Sequence, residues 1–263
     1  MRDFEDPGRW DAAARHYATT AHPFTALYAE AALKRVPLGP ADRVLDVAAG
    51  TGALALAAAR TGAQVLAIDF SPGMVARIAE AGLPNVEARV MDGQALGLPD
   101  GSVDGGFDAV FSIFGVIMFP DWRRGLAEMA RVTRPGGYGV VATWQRGGAA
   151  TFLLLSEVRR RLFPGIEGMA MPDGVIGLSD PEAFADALVE AGYRDPRIEV
   201  VTYDYALEVA ALADPEALFG MSPDWARLTE VQRAAVIGEI RRMAEGRPVR
   251  PVPSTALIGV ARR

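Results

Sequence analysis

Cysteine is absent from the 263 residues, which excludes a disulfide framework, thiolate zinc, iron–sulfur ligation and a cysteine nucleophile. Histidine is nearly absent. His16 and His22 are the only two and lie close to the start, so a multi-histidine metal centre and a downstream Ser-His-Asp triad are all but excluded, and no metal is expected. Lysine occurs once, at Lys34, and 27 basic side chains face 33 acidic ones for a net charge of −6. A broad nucleic-acid footprint does not fit that balance. Long apolar runs are missing too. The longest, Ala109 to Phe119, is broken by Ser112 and Gly115 and falls far short of a membrane span. Met1 to Pro7 carries Arg2, Asp3, Glu5 and Asp6 where a signal peptide has its apolar core. The expectation is a cytosolic protein with neither membrane nor nucleic acid as partner.

What is present is a chain that is 50% apolar and long enough to bury a full core without staples. From Arg43 to about Trp144, short apolar runs alternate with helical patterns. Val44–Val47, Gln64–Asp69, Val86–Met91, Phe107–Ile113 and Val140–Ala142 read as strands. Between them, Ala53–Arg60, Pro72–Ala81 (opened by Ser71 as N-cap) and Trp122–Arg131 read as helices. That interleaving predicts an α/β, Rossmann-like, doubly wound and mostly parallel sheet. Beyond Gln145 the pattern predicts a helix over Thr151–Leu162, a Gly-, Met- and Pro-rich stretch over Phe163–Gly177, and a capping box at Ser179-Asp180-Pro181-Glu182. A strand over Arg197–Tyr205, a helix over Glu230–Ala244 and a last strand over Thr255–Val260 follow.

The strongest local signal is Asp46-Val47-Ala48-Ala49-Gly50-Thr51-Gly52 at the end of the first strand. Ligands bind outside the carboxyl ends of such strands, where small residues let backbone approach them closely; the same residues also serve plain packing. Asp69 ends the second strand and Asp92 the third. An acid at the second strand end suits a two-pronged grip on ribose hydroxyls, and Asp92, followed by Gly93-Gln94, suits an adenine amino group. A dinucleotide is a poor fit, because Asp46 at the loop entrance repels a diphosphate and the G-x-G-x-x-G pattern is incomplete. The same carboxylate favours a ligand with a cationic amino-acid tail and no phosphate, which describes S-adenosylmethionine.

On these motifs, together with Asp69-Phe70-Ser71-Pro72-Gly73-Met74, Asp92 to Pro99, Phe107-Asp108-Ala109-Val110 and Glu128 to Gly137, the chain resembles the class I S-adenosylmethionine-dependent methyltransferases. The subgroup is similar to quinone-biosynthesis and secondary-metabolite small-molecule enzymes. The resemblance implies a seven-stranded sheet with an antiparallel last strand, in a single domain over 1–263. Residues 1–38 would be a helical lid, 41–144 the cofactor core, 145–178 an insert after strand five, and 179–263 a substrate-side half. It further implies the cofactor's amino-acid end on Asp46 to Gly52 (Ala48 and Gly50 included) and its ribose on Asp69. Phe70 and Met74 would flank the adenine, Asp92, Gly93 and Gln94 would meet its edge, and the Ser112 region would lie under the methionine part. Transfer would leave S-adenosylhomocysteine.

The acceptor side is less determined. The apolar run Ser112 to Phe119 is either core or a pocket with Phe114 and Met118 as walls, and Trp144 is a further wall or a buried aromatic. Trp10-Asp11-x-x-Ala14-x-x-Tyr17 resembles a lid helix whose tyrosine reaches the cofactor; an amphipathic helix docked on the sheet edge has the same pattern. His16 and His22 are the neutral-pH bases by residue type and the candidate catalytic residues, should the acceptor have to lose a proton. The acceptor is expected to be a small molecule, the assembly a monomer or homodimer. Two other readings stay open: a protein that holds S-adenosylmethionine while catalysing a non-methylating reaction or none, and a nucleotide-dependent oxidoreductase.

Overall fold

The computed structural model describes residues 5–101, 105–148, 150–168, 171–220 and 222–263. Residues 1–4 of the N-terminal segment and 169–170 of the expected insert lie outside them. Seven strands form one sheet: β1 (Arg43–Val47), β2 (Gln64–Asp69), β3 (Val86–Val90), β4 (Phe107–Ile113), β5 (Thr133–Trp144), β6 (Arg194–Glu208) and β7 (Val249–Arg262). Their order is β3-β2-β1-β4-β5-β7-β6. The first five run parallel, and β7 lies antiparallel to β5 from Tyr138↔Arg262 to Trp144↔Ala256. This is the doubly wound, seven-stranded sheet that the alternation and the resemblance predict. The order reverses between β1 and β4, which opens a crevice at their carboxyl ends. No helix among the described residues is long and apolar enough to cross a membrane.

Five helices shape that crevice: α1 (Pro7–Thr20), α2 (His22–Leu33), α3 (Ala53–Ala59), α4 (Pro72–Ala79) and α5 (Trp122–Val132). α3, α4 and α5 start at Ala53, Pro72 and Trp122, as the sequence predicts. Ser71 caps α4 by accepting the Met74 N–H, with Pro72 in the first turn, and Asp121 caps α5 by accepting the Arg124 N–H. Along α5, Trp122, Leu126, Met129 and Ala130 are buried, a stripe at helical spacing that docks on the sheet. The opposite edge of α5 holds the loop after β3. Glu128 accepts the Leu96 N–H at 2.7 Å, and Arg131 donates to the Leu98 carbonyl at 2.8 Å while pairing with Glu128. The Arg131 guanidinium holds the Glu128 carboxyl below its ordinary range, so this clasp stays charged at neutral pH.

The chain forms two compact units. The first comprises Met1–Arg146, Pro172–Val201 and Ala256–Arg263; the second comprises Gly147–Met171 and Thr202–Thr255 and has its own core around Leu155, Val158, Phe219, Trp225, Val236 and Ile240. The expected insert is thus divided, with 147–171 in the second unit and 145–146 and 172–178 in the first. One local expectation is corrected. Ser179 does not open a capping box with Glu182; Asp180 is the N-cap, accepting the Glu182 and Ala183 N–H groups, while Ser179 donates its hydroxyl to the Ile176 carbonyl. Pro181 at the first helical position makes its predecessor the cap. A true capping box stands at Thr229 and Gln232, before the helix Glu230–Met243.

Candidate active site

The turn after β1 is built from residues that tolerate a left-handed backbone. Ala48 and Gly50 have φ of 55° and Gly52 of 88°, a conformation that favours glycine. Gly52 opens α3 without a side chain to cap it, and the missing acceptor comes from β1: Asp46 Oδ2 accepts the Ala55 N–H at 3.0 Å. Asp46 is only 1% exposed. Burial pushes its carboxyl up to about 7, with the Ala55 bond opposing and the charge of Asp69 reinforcing the shift.

That shift has a measurable sign. The folded protein keeps the Asp46 proton well above the unfolded carboxyl value of about 3.9. Folding stability should therefore fall as pH rises from about 4 to about 7 and level off above it. Asp46→Asn should flatten most of this slope in urea unfolding measured across that range; a wild-type curve already flat there would show that Asp46 ionises freely.

Asp69 ends β2 with both oxygens engaged. Oδ2 accepts the Gly50 N–H at 2.8 Å and Oδ1 the Ser71 N–H at 3.0 Å, so one carboxylate ties the β1 loop to the start of α4. Burial raises its carboxyl, while the Ser71, Gly50 and Phe70 N–H groups oppose. Asp92, after β3, is exposed, and Oδ1 accepts the Gln94 N–H at 2.9 Å. Gln94 in turn accepts the Asp121 N–H at 2.8 Å, which fixes the loop against α5.

A cavity of about 570 Å³ lies over these strand ends, within the usual range for a small-molecule site. Its wall brings together Tyr17, Ala48, Gly50, Asp69, Phe70, Met74, Asp92, Gly93, Gln94, Phe114 and Met118, all singled out by the sequence. Asp46, Gly52, Ser112, Trp144, His16 and His22 are not in that wall. Ser112 is turned inward, donating to the Val47 carbonyl and accepting the Val116 N–H, both at 2.9 Å. Trp144 stands behind the wall, stacked on Phe114 with ring centroids 4.0 Å apart and 12° between planes. Tyr28 meets both rings edge-on. Phe114 itself has φ of 60°, a strained conformation for an aromatic residue of the kind that concentrates at functional sites. His22 Nδ1 lies 2.8 Å from Thr51 Oγ1, and burial pulls its imidazole down.

Over the cavity lies α1. Tyr17 meets Trp10 edge-on at 6.2 Å, and its ring approaches the bare Cα of Gly50. Burial pushes the Tyr17 phenol up to about 12, opposed by a bond with Thr25 and reinforced by the charge of Asp69. Tyr17 is therefore neutral at pH 7. The ionisable side chains in the wall are Glu5, Tyr17, Asp69 and Asp92, and no arginine or lysine is among the described residues that line it. Glu5 and Phe119 were not singled out by the sequence, and neither carries a local signal that marks it.

A methyltransferase domain family matches residues 44–137. The demethylmenaquinone methyltransferase of Thermus thermophilus is 35% identical over 190 residues, covering 66% of this chain and 82% of that protein. That of Corynebacterium efficiens is 38% identical over 152 residues, 57% of this chain, which spans only 60% of that relative's length. Among solved structures, YcgJ from Bacillus subtilis shares the fold with a TM-score of 0.58 at 19% identity, covering 92% of this chain and 99% of that one. The chain belongs to the class I S-adenosylmethionine-dependent methyltransferases. Within that class its curated relatives include enzymes named for demethylmenaquinone. The wall fits the class's cofactor: acceptors stand at the strand ends, a bare Cα borders the space under Tyr17, and among the described residues that line it no cationic side chain invites a diphosphate.

Proposed function

We propose that the protein moves a methyl group from S-adenosylmethionine to a small, largely apolar acceptor, a quinol of the kind its relatives are named for. The observation that carries this reading is one continuous cavity whose wall is acidic at the ends of β2 and β3 and apolar at the end of β4, where Ile113, Phe114, Met118 and Phe119 stand. The relatives' names favour a quinol over the secondary metabolites that the sequence also suggests.

The cofactor supplies an electrophilic methyl group on a sulfonium. The chain's own part is to bind, align and dry the site. Asp69 accepts the ribose hydroxyls, Asp92 faces the adenine amino group, and Phe70 and Met74 flank the base. The left-handed turn at Ala48 and Gly50 receives the amino-acid end, while Asp46 acts through α3 by fixing that turn. Trp10 and Tyr17 exclude water, which strengthens every electrostatic contact inside. In-line displacement then needs collinear reactants more than it needs an acid or base. Incubation with methyl-labelled cofactor and a reduced demethylated naphthoquinone tests the reading. Label in the quinol supports it; tight cofactor binding with no transfer to any small acceptor supports the non-methylating alternative, and tighter binding of NAD overturns the cofactor itself.

Proton handling has its own test. With neither imidazole in the cavity wall, an acceptor that must lose a proton meets Glu5, the wall carboxylate not assigned to the cofactor, or arrives ionised. His16→Ala should leave kcat within about threefold, well short of the ~10²–10⁴-fold typical of a lost general base. His22→Ala should raise KM for the cofactor by loosening Thr51, with no pH-dependent fall in kcat. A drop in kcat of about tenfold or more, largest near neutral pH, in either variant would restore a histidine base.

A further inference from the structure

Asp11 stands on α1 between Trp10 and Tyr17, yet it is not in the cavity wall as they are. Its Oδ1 accepts the Ser71 hydroxyl at 2.5 Å and the Gly73 N–H at 2.7 Å. One carboxylate oxygen thereby joins α1 to the first turn of α4, through bonds that its charge strengthens. The Ser71 hydroxyl first, and the Gly73 N–H second, hold the Asp11 carboxyl below its ordinary range. The approach is close: a Cβ on Gly73 would stand 3.0 Å from Asp11 Cα and 3.2 Å from its carbonyl oxygen. Apolar anchoring of α1 is modest by comparison, because Ala13 and Ala14 are its buried side chains while Trp10 and Tyr17 are half-buried along the cavity.

We propose that Asp11 is the positioning residue that fastens α1 over the cavity, holding Trp10 and Tyr17 in its wall through Ser71 and Gly73. The proposal rests on reading that cavity as the cofactor site. Ser71 already caps α4 through the same hydroxyl oxygen, which accepts the Met74 N–H at 3.1 Å. The fastening therefore joins the lid to the helix that begins directly after Asp69 and Phe70, so closure of α1 and the position of the ribose acid are set together.

The test compares S-adenosylhomocysteine binding by wild type, Asp11→Ala, Asp11→Asn and Gly73→Ala, by calorimetry and stopped-flow, with the thermal midpoint of each unliganded protein. Asp11→Ala should bind about tenfold more weakly through faster dissociation, with its midpoint within about 2 °C of wild type. Asp11→Asn should recover most of that affinity, because an amide oxygen accepts both bonds. Gly73→Ala is the sharper variant. Alanine suits a helix better than glycine, so the midpoint should not fall, while the added methyl pushes α1 away and affinity drops several-fold. Wild-type dissociation rates in Asp11→Ala, or affinity losses that merely track falling midpoints, would overturn the fastening. Failure of the wild type to bind S-adenosylhomocysteine at all would overturn the cofactor site and the fastening with it.

Discussion

Asp69→Ala is expected to lower affinity for S-adenosylhomocysteine by at least about a hundredfold, or about 3 kcal/mol, in isothermal titration. Two losses combine. The ligand loses a charge-assisted acceptor at the end of β2, and the Gly50 and Ser71 N–H groups lose the carboxylate that aligns the β1 loop with α4. Asp69→Asn should fall almost as far, because its amide N–H2 must face one of two backbone donors. Asp92→Ala should cost only a few-fold, since Asp92 is exposed and its bonds run to Gln94 alone among those seen. Wild-type affinity in a folded Asp69→Ala protein would place the cofactor somewhere else.

Deleting the chain through Thr20 is expected to reduce kcat by about a thousandfold while sparing the fold. The deletion removes Trp10 and Tyr17 from the cavity wall, and with them the dry, aligned site on which transfer depends; a misplacement of about 1 Å alone can cost ~10²-fold. The fold should survive because the buried side chains of α1 are the small Ala13 and Ala14, whereas α2 begins at His22 and buries Tyr28, Ala29, Ala31 and Ala32. Ending the deletion before His22 also keeps the contact between His22 and Thr51. Far-ultraviolet circular dichroism and saturating-cofactor turnover check the two halves of this expectation. Normal turnover in the truncated protein would show that α1 is an ornament of the sheet edge.

The sheet and the rim of its crevice were legible because the signals are local. Largely apolar runs of three to seven residues, the first three ended by Asp or a small residue, give strands whose carboxyl ends must meet in one crevice. Asp69, Asp92 and the turn at Gly50 follow from that alone. Side-chain direction is a different matter, since spacing does not say which way a strand-end residue turns. Asp46 turns toward Ala55 and Ser112 toward Val47, both inside the fold, and Trp144 lies flat against Phe114 instead of facing the cavity. His22 was recognisable as a titratable group, but its partner Thr51 lies 29 residues away. The second compact unit was hidden for the same reason. Its core joins Leu155 and Val158 to residues beyond 202, and each segment alone reads as an ordinary amphipathic piece. Asp11 was in plain view beside Trp10, yet only the fold brings Ser71 and Gly73 to it.

The cavity wall carries Glu5, Asp69 and Asp92 with no described arginine or lysine among its members, so, on the proposed cofactor reading, residence time is expected to depend on the state of the sulfur. Before transfer the ligand bears a sulfonium; afterwards it is a neutral thioether, and the acidic wall has one less positive charge to hold. Loss of that attraction is worth on the order of 1 kcal/mol for a charge several ångströms from a carboxylate. The spent ligand should therefore leave roughly fivefold faster than the charged one, and added salt should narrow the gap.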